Sequence, residues 1–201
     1  MKVLITCGPT WVPIDDVRVI SNTSSGEMGH LIAEGFLNAG CSVTLIQGPV
    51  THAWSHAKVN VVRYNFFDEL EQALKVNLRK KYDCVIHAAA VSDFKVKDAK
   101  KGKIDSGRTR SLSLAPTRKL IDLIKQIAPG SFLVGFKLEP KFKKSEVFQD
   151  VRPLFTQSGC DLVVANTLMP YQGFIVDADG NIIAHALSKR NLAKALVKTL
   201  L

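Results

Sequence analysis

The sequence predicts an α/β chain with a Rossmann-like, three-layer fold: a mostly parallel sheet, helices on both of its faces, and a C-terminal β-hairpin. Two patterns carry that expectation. Apolar runs of strand length, bounded by glycine, proline and small polar residues, alternate with longer segments whose apolar residues recur at helical spacing. Apolar strands separated by amphipathic helices form parallel sheets that are covered on both faces. Length agrees, because 201 residues of which 46% are hydrophobic suffice for one α/β domain with a proper core. Residues 1–201 are therefore expected to form a single domain.

In chain order, residues 2–6 centre on Val3-Leu4-Ile5, an apolar run that stops at Gly8-Pro9-Thr10 and reads as the first strand. The helical pattern over 29–38 follows Ser24-Ser25-Gly26, residues suited to a helix start. Strand-like runs at 42–46 and 60–64 precede an amphipathic helix over 67–80, and residues 83–87 form a fourth strand-like run. The polar stretch that follows has too few large apolar residues to pack as core. Regular patterning resumes with a helix over 118–127, a strand over 131–136, a helix over 146–158 and a strand over 162–165. The hairpin pair 173–176 and 182–184 and a helix over 189–200 complete the chain.

No apolar run reaches the length of a bilayer span, so no membrane partner is expected, and Met1-Lys2 leads straight into strand-like sequence rather than a secretory leader. A cytoplasmic location is the expectation. Cys7, Cys41, Cys84 and Cys160 are far apart, without zinc or redox spacing, and read as reduced core residues. The formal charge of +9 is concentrated: between Lys95 and Lys119 lie nine basic residues against Asp98 and Asp105. Such a run suits a solvated loop, a nucleic-acid arm or a lid over a small polyanion. Nucleic acid finds little support, because no aromatic residue lies between Lys95 and Arg118 to stack on bases.

Ligands on this architecture bind beyond the carboxyl ends of the strands, where the strand order reverses. Three strand ends should therefore face one crevice: Gly8-Pro9-Thr10, the run His87-Ala88-Ala89-Ala90-Val91-Ser92-Asp93, and Gly135-Phe136-Lys137. Between the first strand and its helix, Arg18, Asn22, Ser24, Ser25 and Gly26 combine a guanidinium, an amide, hydroxyls and a helix start. Free N–H groups and the positive end of the helix dipole suit a phosphate or carboxylate there. An NAD(P)-dependent oxidoreductase is the rival on such a sheet. It would need Gly-x-Gly-x-x-Gly after the first strand and an acidic residue closing the strand that ends Leu45-Ile46-Gln47, and neither is present. A non-catalytic nucleotide or nucleic-acid binder using the basic run is the other alternative.

The motifs in order resemble those of phosphopantothenate-cysteine ligases over almost the whole chain. The resemblance rests on residues 5–10, Ile14-Asp15, Val17-Arg18, residues 20–26, Met28-Gly29, residues 88–93, Lys103-Ile104, residues 134–139 and residues 163–166. Because the sequence starts directly at the ligase strand, it looks like the stand-alone form of an enzyme often fused to a decarboxylase. The resemblance implies a coenzyme A pathway reaction. The carboxylate of 4′-phosphopantothenate attacks a nucleoside triphosphate to give an acyl-nucleotide and pyrophosphate, and the amine of cysteine then forms the amide. It also implies CTP before ATP as co-substrate, Mg2+ on the triphosphate, no protein metal site, and a homodimer. Catalytic roles fall to Asn22, Arg18 and Lys103, the last on a mobile flap hinged at Gly102 and Gly107. Nucleotide contacts fall to Gly8, Thr10, Ala88, Ala89, Ala90, Asp93, Lys103, Thr117, Phe136 and Lys137. Phosphopantothenate falls to Arg18, Asn22, Ser24, Ser25 and Gly26.

The chain departs from that pattern in three places. Its flap reads Lys103-Ile104-Asp105-Ser106-Gly107 rather than lysine-rich. Leu154 and Ser158 stand where fused relatives carry lysines, with Arg152 as the nearby substitute, and Arg118 stands where many relatives have proline.

Overall fold

The computed structural model describes residues 1–51 and 54–201; His52, which shows no ligand pattern in the sequence, lies outside them. The elements run β1 (Lys2–Cys7), β2 (Trp11–Pro13), β3 (Val19–Ser21), α1 (Glu27–Asn38), β4 (Ser42–Gln47), β5 (Val59–Arg63), α2 (Phe67–Leu78) and β6 (Cys84–His87). There follow β7 (Phe94–Val96), β8 (Leu114–Pro116), α3 (Leu120–Ile127), β9 (Phe132–Leu138), α4 (Val147–Thr156), β10 (Leu162–Asn166), β11 (Gly173–Asp177), β12 (Ile182–Ala186) and α5 (Lys189–Leu200).

The main sheet has the order β12-β11-β10-β9-β6-β1-β4-β5. Its strands from β10 to β5 are parallel, while β11 and β12 run antiparallel to their neighbours as the expected C-terminal hairpin. The chain winds outward from β1 to β4 and β5, then returns to β6 on the other side of β1. The order thus reverses between β1 and β6, and this opens a crevice at their carboxyl ends. Register places Thr6 opposite His87, and His87 opposite Gly135, at that edge.

Packing explains the two-sided apolar strands. On one face, Ile32, Ala33 and Phe36 of α1 and Leu192, Leu196 and Val197 of α5 bury against Val3, Ile5 and Val164. On the other, Leu70 and Leu74 of α2, Ile121 and Ile124 of α3 and Val147 and Val151 of α4 cover Leu4, Val85 and Val163. All four cysteines are buried and unpaired, and burial pushes the Cys7, Cys84 and Cys160 thiols up to about 12, where they stay inert.

Helix ends differ from the periodic reading because side chains there take other work. Helix α3 starts at Leu120, since Thr117 donates its backbone N–H to Asp93 O and Arg118 reaches sideways to Glu71. Helix α4 stops at Thr156, soon after Pro153, whose ring lacks the N–H that continues a helical ladder. Two small hairpins, β2–β3 and β7–β8, carry no readable periodicity because each strand has only three residues.

Candidate functional site

The crevice is an open space of about 660 Å³ beyond β1, β6 and β9, bounded by the first turn of α1 and by α3 and α4. Its floor is a backbone zipper. Ala88 N–H donates to Thr6 O at 3.1 Å, Ala90 N–H to Gly8 O at 2.9 Å, and Thr10 N–H to Ala90 O at 3.3 Å. Ser92 N–H then donates to Thr10 Oγ1 at 2.9 Å. Ala88, Ala89 and Ala90 all line the crevice, and none carries more than a methyl group.

Asn22 closes the crevice from the other wall, donating Nδ2–H to Ala90 O at 3.0 Å. Beside it, Ser24, Ser25 and Gly26 line the entrance to α1. Gly26, at φ 74°, is the N-cap and supplies no side chain; Glu27 N–H donates to Ser25 Oγ at 3.4 Å, and no side chain caps the helix from the N-cap position. Gly29 lets the helix approach: a Cβ there would meet Cys7 Cβ at 2.3 Å. This close contact is what brings the helix start to the strand ends.

At the outer rim, Lys119 Nζ lies 2.5 Å from Asp93 Oδ1, and Thr117 Oγ1 donates to Ser92 O at 2.7 Å. The Asp93–Lys119 pair is mostly exposed and adds little stability. Arg118 and Lys75 both pair with the buried Glu71; burial alone would raise that carboxyl, but the two cationic partners outweigh it and hold it low. Phe136 and Lys137 line the crevice from β9, with Lys137 Nζ 2.8 Å from Glu139. Leu154 and Ser158 also line it, and Ser158 Oγ donates to Asp122 at 2.7 Å.

Five expected residues do not line the crevice in this structure. Thr10 is buried and spends its hydroxyl on Ser92, while Gly8, at φ 83°, makes the turn above β1. Arg18 points elsewhere because Asp15 Oδ2 holds its guanidinium at 2.9 Å and Ile104 O accepts from it at 3.1 Å. Lys103 sits next to that contact, on the loop joining β7 to β8, and Arg152 faces out from α4. The hub of this contact is Asp15, which the motifs include but to which they give no role. Its carboxylate accepts N–H bonds from Ile104, Val17 and Arg18, and these, with the Arg18 charge, hold it below the usual aspartate range. The signal was local, an aspartate two and three residues before the amides that it binds.

Two more groups were not singled out. Lys189 lines the crevice and pairs with Glu27 at 2.6 Å, and the hydroxyl of Tyr171 is buried with no hydrogen-bond partner among the described residues. Burial and the Glu27 charge push that phenol up. At the end of β4, where a dinucleotide enzyme needs a carboxylate for ribose, Gln47 is wholly buried. Its Oε1 serves His30 at 2.7 Å and Trp54 N–H at 3.2 Å, which argues against the oxidoreductase alternative.

The reversing parallel sheet, with a crevice that joins a helix start to an alanine-bearing loop, defines an α/β protein of Rossmann-like architecture. A model of the DNA/pantothenate metabolism flavoprotein C-terminal domain matches residues 1–201, and the chain belongs to that family, as its resemblance to phosphopantothenate-cysteine ligases implied. It is 40% identical over 201 residues to the coenzyme A biosynthesis bifunctional protein CoaBC of Thermococcus kodakarensis, covering 97% of this chain and 49% of that protein. The chain thus spans about half the length of this and similar curated CoaBC relatives. A crystal structure of the DNA/pantothenate metabolism flavoprotein from Streptococcus pneumoniae superposes with a TM-score of 0.88 at 26% identity, covering 100% of this chain and 98% of that one. The C-terminal domain of a CoaBC protein does so at 0.79 and 26%, covering 99% and 93%.

Proposed function

We propose that residues 1–201 act as one phosphopantothenate-cysteine ligase domain in coenzyme A biosynthesis, working in the cytoplasm. The observation that carries this reading is the Asn22 amide set across the crevice from the Ala88–Ala90 backbone, next to the open start of α1. In the first step, a carboxylate oxygen of 4′-phosphopantothenate attacks the α-phosphorus of the nucleotide and pyrophosphate leaves. In the second, the amine of cysteine attacks the acyl carbon, gives up a proton, and expels nucleoside monophosphate as the amide forms. Neither step needs a protein nucleophile; positioning and charge stabilisation suffice.

Asn22, Ser24, Ser25 and the Gly26 helix start would hold the carboxylate and phosphate of phosphopantothenate. Ala88, Ala89, Ala90, Asp93, Thr117, Phe136 and Lys137 would hold the nucleotide, CTP before ATP. Mg2+ would enter on phosphate oxygens, and among the described residues no three ligating side chains cluster to cage it. Asp93 is exposed enough to add one carboxylate oxygen, which suits an ion that keeps most of its ligands from phosphate and water.

Lys103 would reach the triphosphate by movement of the β7–β8 arm, or from the arm of a neighbouring copy. A homodimer fits the surface. Val17, Val19 and Ile20 on the β2–β3 hairpin and Phe94, Leu112 and Leu114 on the adjoining arm are all exposed. Exposed apolar groups gathered on one side mark association surfaces. The test is pyrophosphate release in mixtures that lack one component at a time. Release should require triphosphate, Mg2+ and phosphopantothenate together; a nicotinamide absorbance change instead would return the oxidoreductase.

A further inference from the structure

His87 lies at the carboxyl end of β6, 7% exposed, and is one of the residues that line the crevice. Its Nδ1 is 2.9 Å from Thr6 Oγ1 on the adjoining strand. Thr6 is fully buried, and its oxygen already accepts the Ala89 N–H at 3.2 Å. Among the described residues, His87 Nδ1 is the only acceptor within reach of the Thr6 hydroxyl proton. If the ring donated instead, that proton would be buried without a partner, a state native interiors avoid. The hydroxyl therefore donates to Nδ1, and the ring must carry its own proton on Nε2. Nε2 has no protein partner among the described residues, yet it is not among the polar atoms sealed from solvent.

We propose that His87 is a substrate-binding residue, locked by Thr6 as the Nε2–H tautomer and donating that hydrogen bond to a phosphate or carboxylate oxygen of a ligand in the crevice. This deepens the ligase reading and rests on it for the identity of the ligand. Burial keeps the ring neutral, with its pKa lowered to about 4, so it offers a directed donor without adding charge to a site crowded with phosphate. Position supports the role: residues 88–90, zippered to β1, and the α1 first turn border the same space.

Long-range proton–nitrogen NMR of the labelled protein, with His87→Gln for assignment, reads the tautomer directly. The expected result is a neutral Nε2–H ring from about pH 7 down to about pH 5. The Nε2 resonance should move when pantothenate, a carboxylate without phosphate, or inorganic pyrophosphate is added, and whichever moves it names the oxygen. In turnover, His87→Ala should raise the KM of the substrate carrying that oxygen by roughly tenfold or more, with a smaller change in kcat, and His87→Gln should restore part of it. Thr6→Val should release the tautomer, whereas Thr6→Ser should keep it. An Nδ1–H ring, a ring charged at neutral pH, or an Nε2 resonance unmoved by both probes at saturation overturns the proposal. A wild-type protein that releases no pyrophosphate would instead sink the ligase reading, and the spectra would still decide the role of His87.

Discussion

Asn22 is exposed, yet its amide is committed on one side, because Nδ2–H donates to Ala90 O at 3.0 Å and approaches Val91 O at 3.5 Å. Asn22→Asp would turn that donor into a negatively charged acceptor facing two carbonyls, in a crevice proposed to hold a carboxylate and phosphates. Close-range repulsion, partly screened, costs on the order of 1 to 4 kcal/mol. Amide formation should fall by roughly fivefold to several hundredfold while the thermal melting curve stays close to wild type. Near-normal turnover would remove Asn22 from the reaction. The sequence made this residue and residues 88–93 legible because each belongs to a short, local motif at a strand end. Arg18 was half legible. Its tie to Asp15 is three residues long, but its tie to Ile104 spans eighty-six, and no local pattern announces that contact.

At the scale of elements, the arm formed by β7 and β8 is latched to the β2–β3 hairpin through Asp15, which Ile104 N–H reaches at 3.0 Å, and through Asp16, which accepts Gly102 N–H at 2.7 Å. Asp15→Asn keeps the shape but removes the charge, so the amides of Gly102 and Ile104 should exchange with solvent faster than in wild type. Unchanged protection would mean that the latch is not electrostatic. The sign of its pH dependence follows from the lowered carboxyl: the latch is intact at neutral pH and is lost only as pH falls through that lowered value, below the ordinary aspartate range. Lys103→Gln should slow acyl-nucleotide formation far more than capture by cysteine, as single-turnover assays resolve; equal rates would return the arm to a solvated loop. The sequence shows the arm as a basic run and a flap around Lys103, but not its two strands, since three-residue strands leave too little alternation to detect.

For the whole molecule, the sheet was legible because its strands are apolar on both faces and its helices amphipathic, and the crevice followed from the reversal of strand order. The hairpins that carry the exposed apolar residues were not. Of their residues only Val12 is a buried apolar side chain, and three-residue strands leave no hydrophobic period in the sequence. Val19→Glu would place a charge in the proposed dimer surface and should shift the protein to monomer in light scattering; an unchanged mass would exclude this face. His87 also sets a global pH response. Its folded pKa of about 4 lies below the ordinary 6.5, so between those values the unfolded chain binds a proton that the folded chain refuses. Stability should fall as pH drops across that window, and denaturant titrations of His87→Gln should show a shallower fall. The central claim is tested most directly by mass spectrometry of products formed from CTP, Mg2+, 4′-phosphopantothenate and cysteine, with ATP in a parallel reaction. The account predicts phosphopantothenoylcysteine, pyrophosphate and nucleoside monophosphate in equal amounts, and an acyl-nucleotide that accumulates when cysteine is withheld. A folded protein that yields neither the amide nor the acyl-nucleotide with either triphosphate would contradict it.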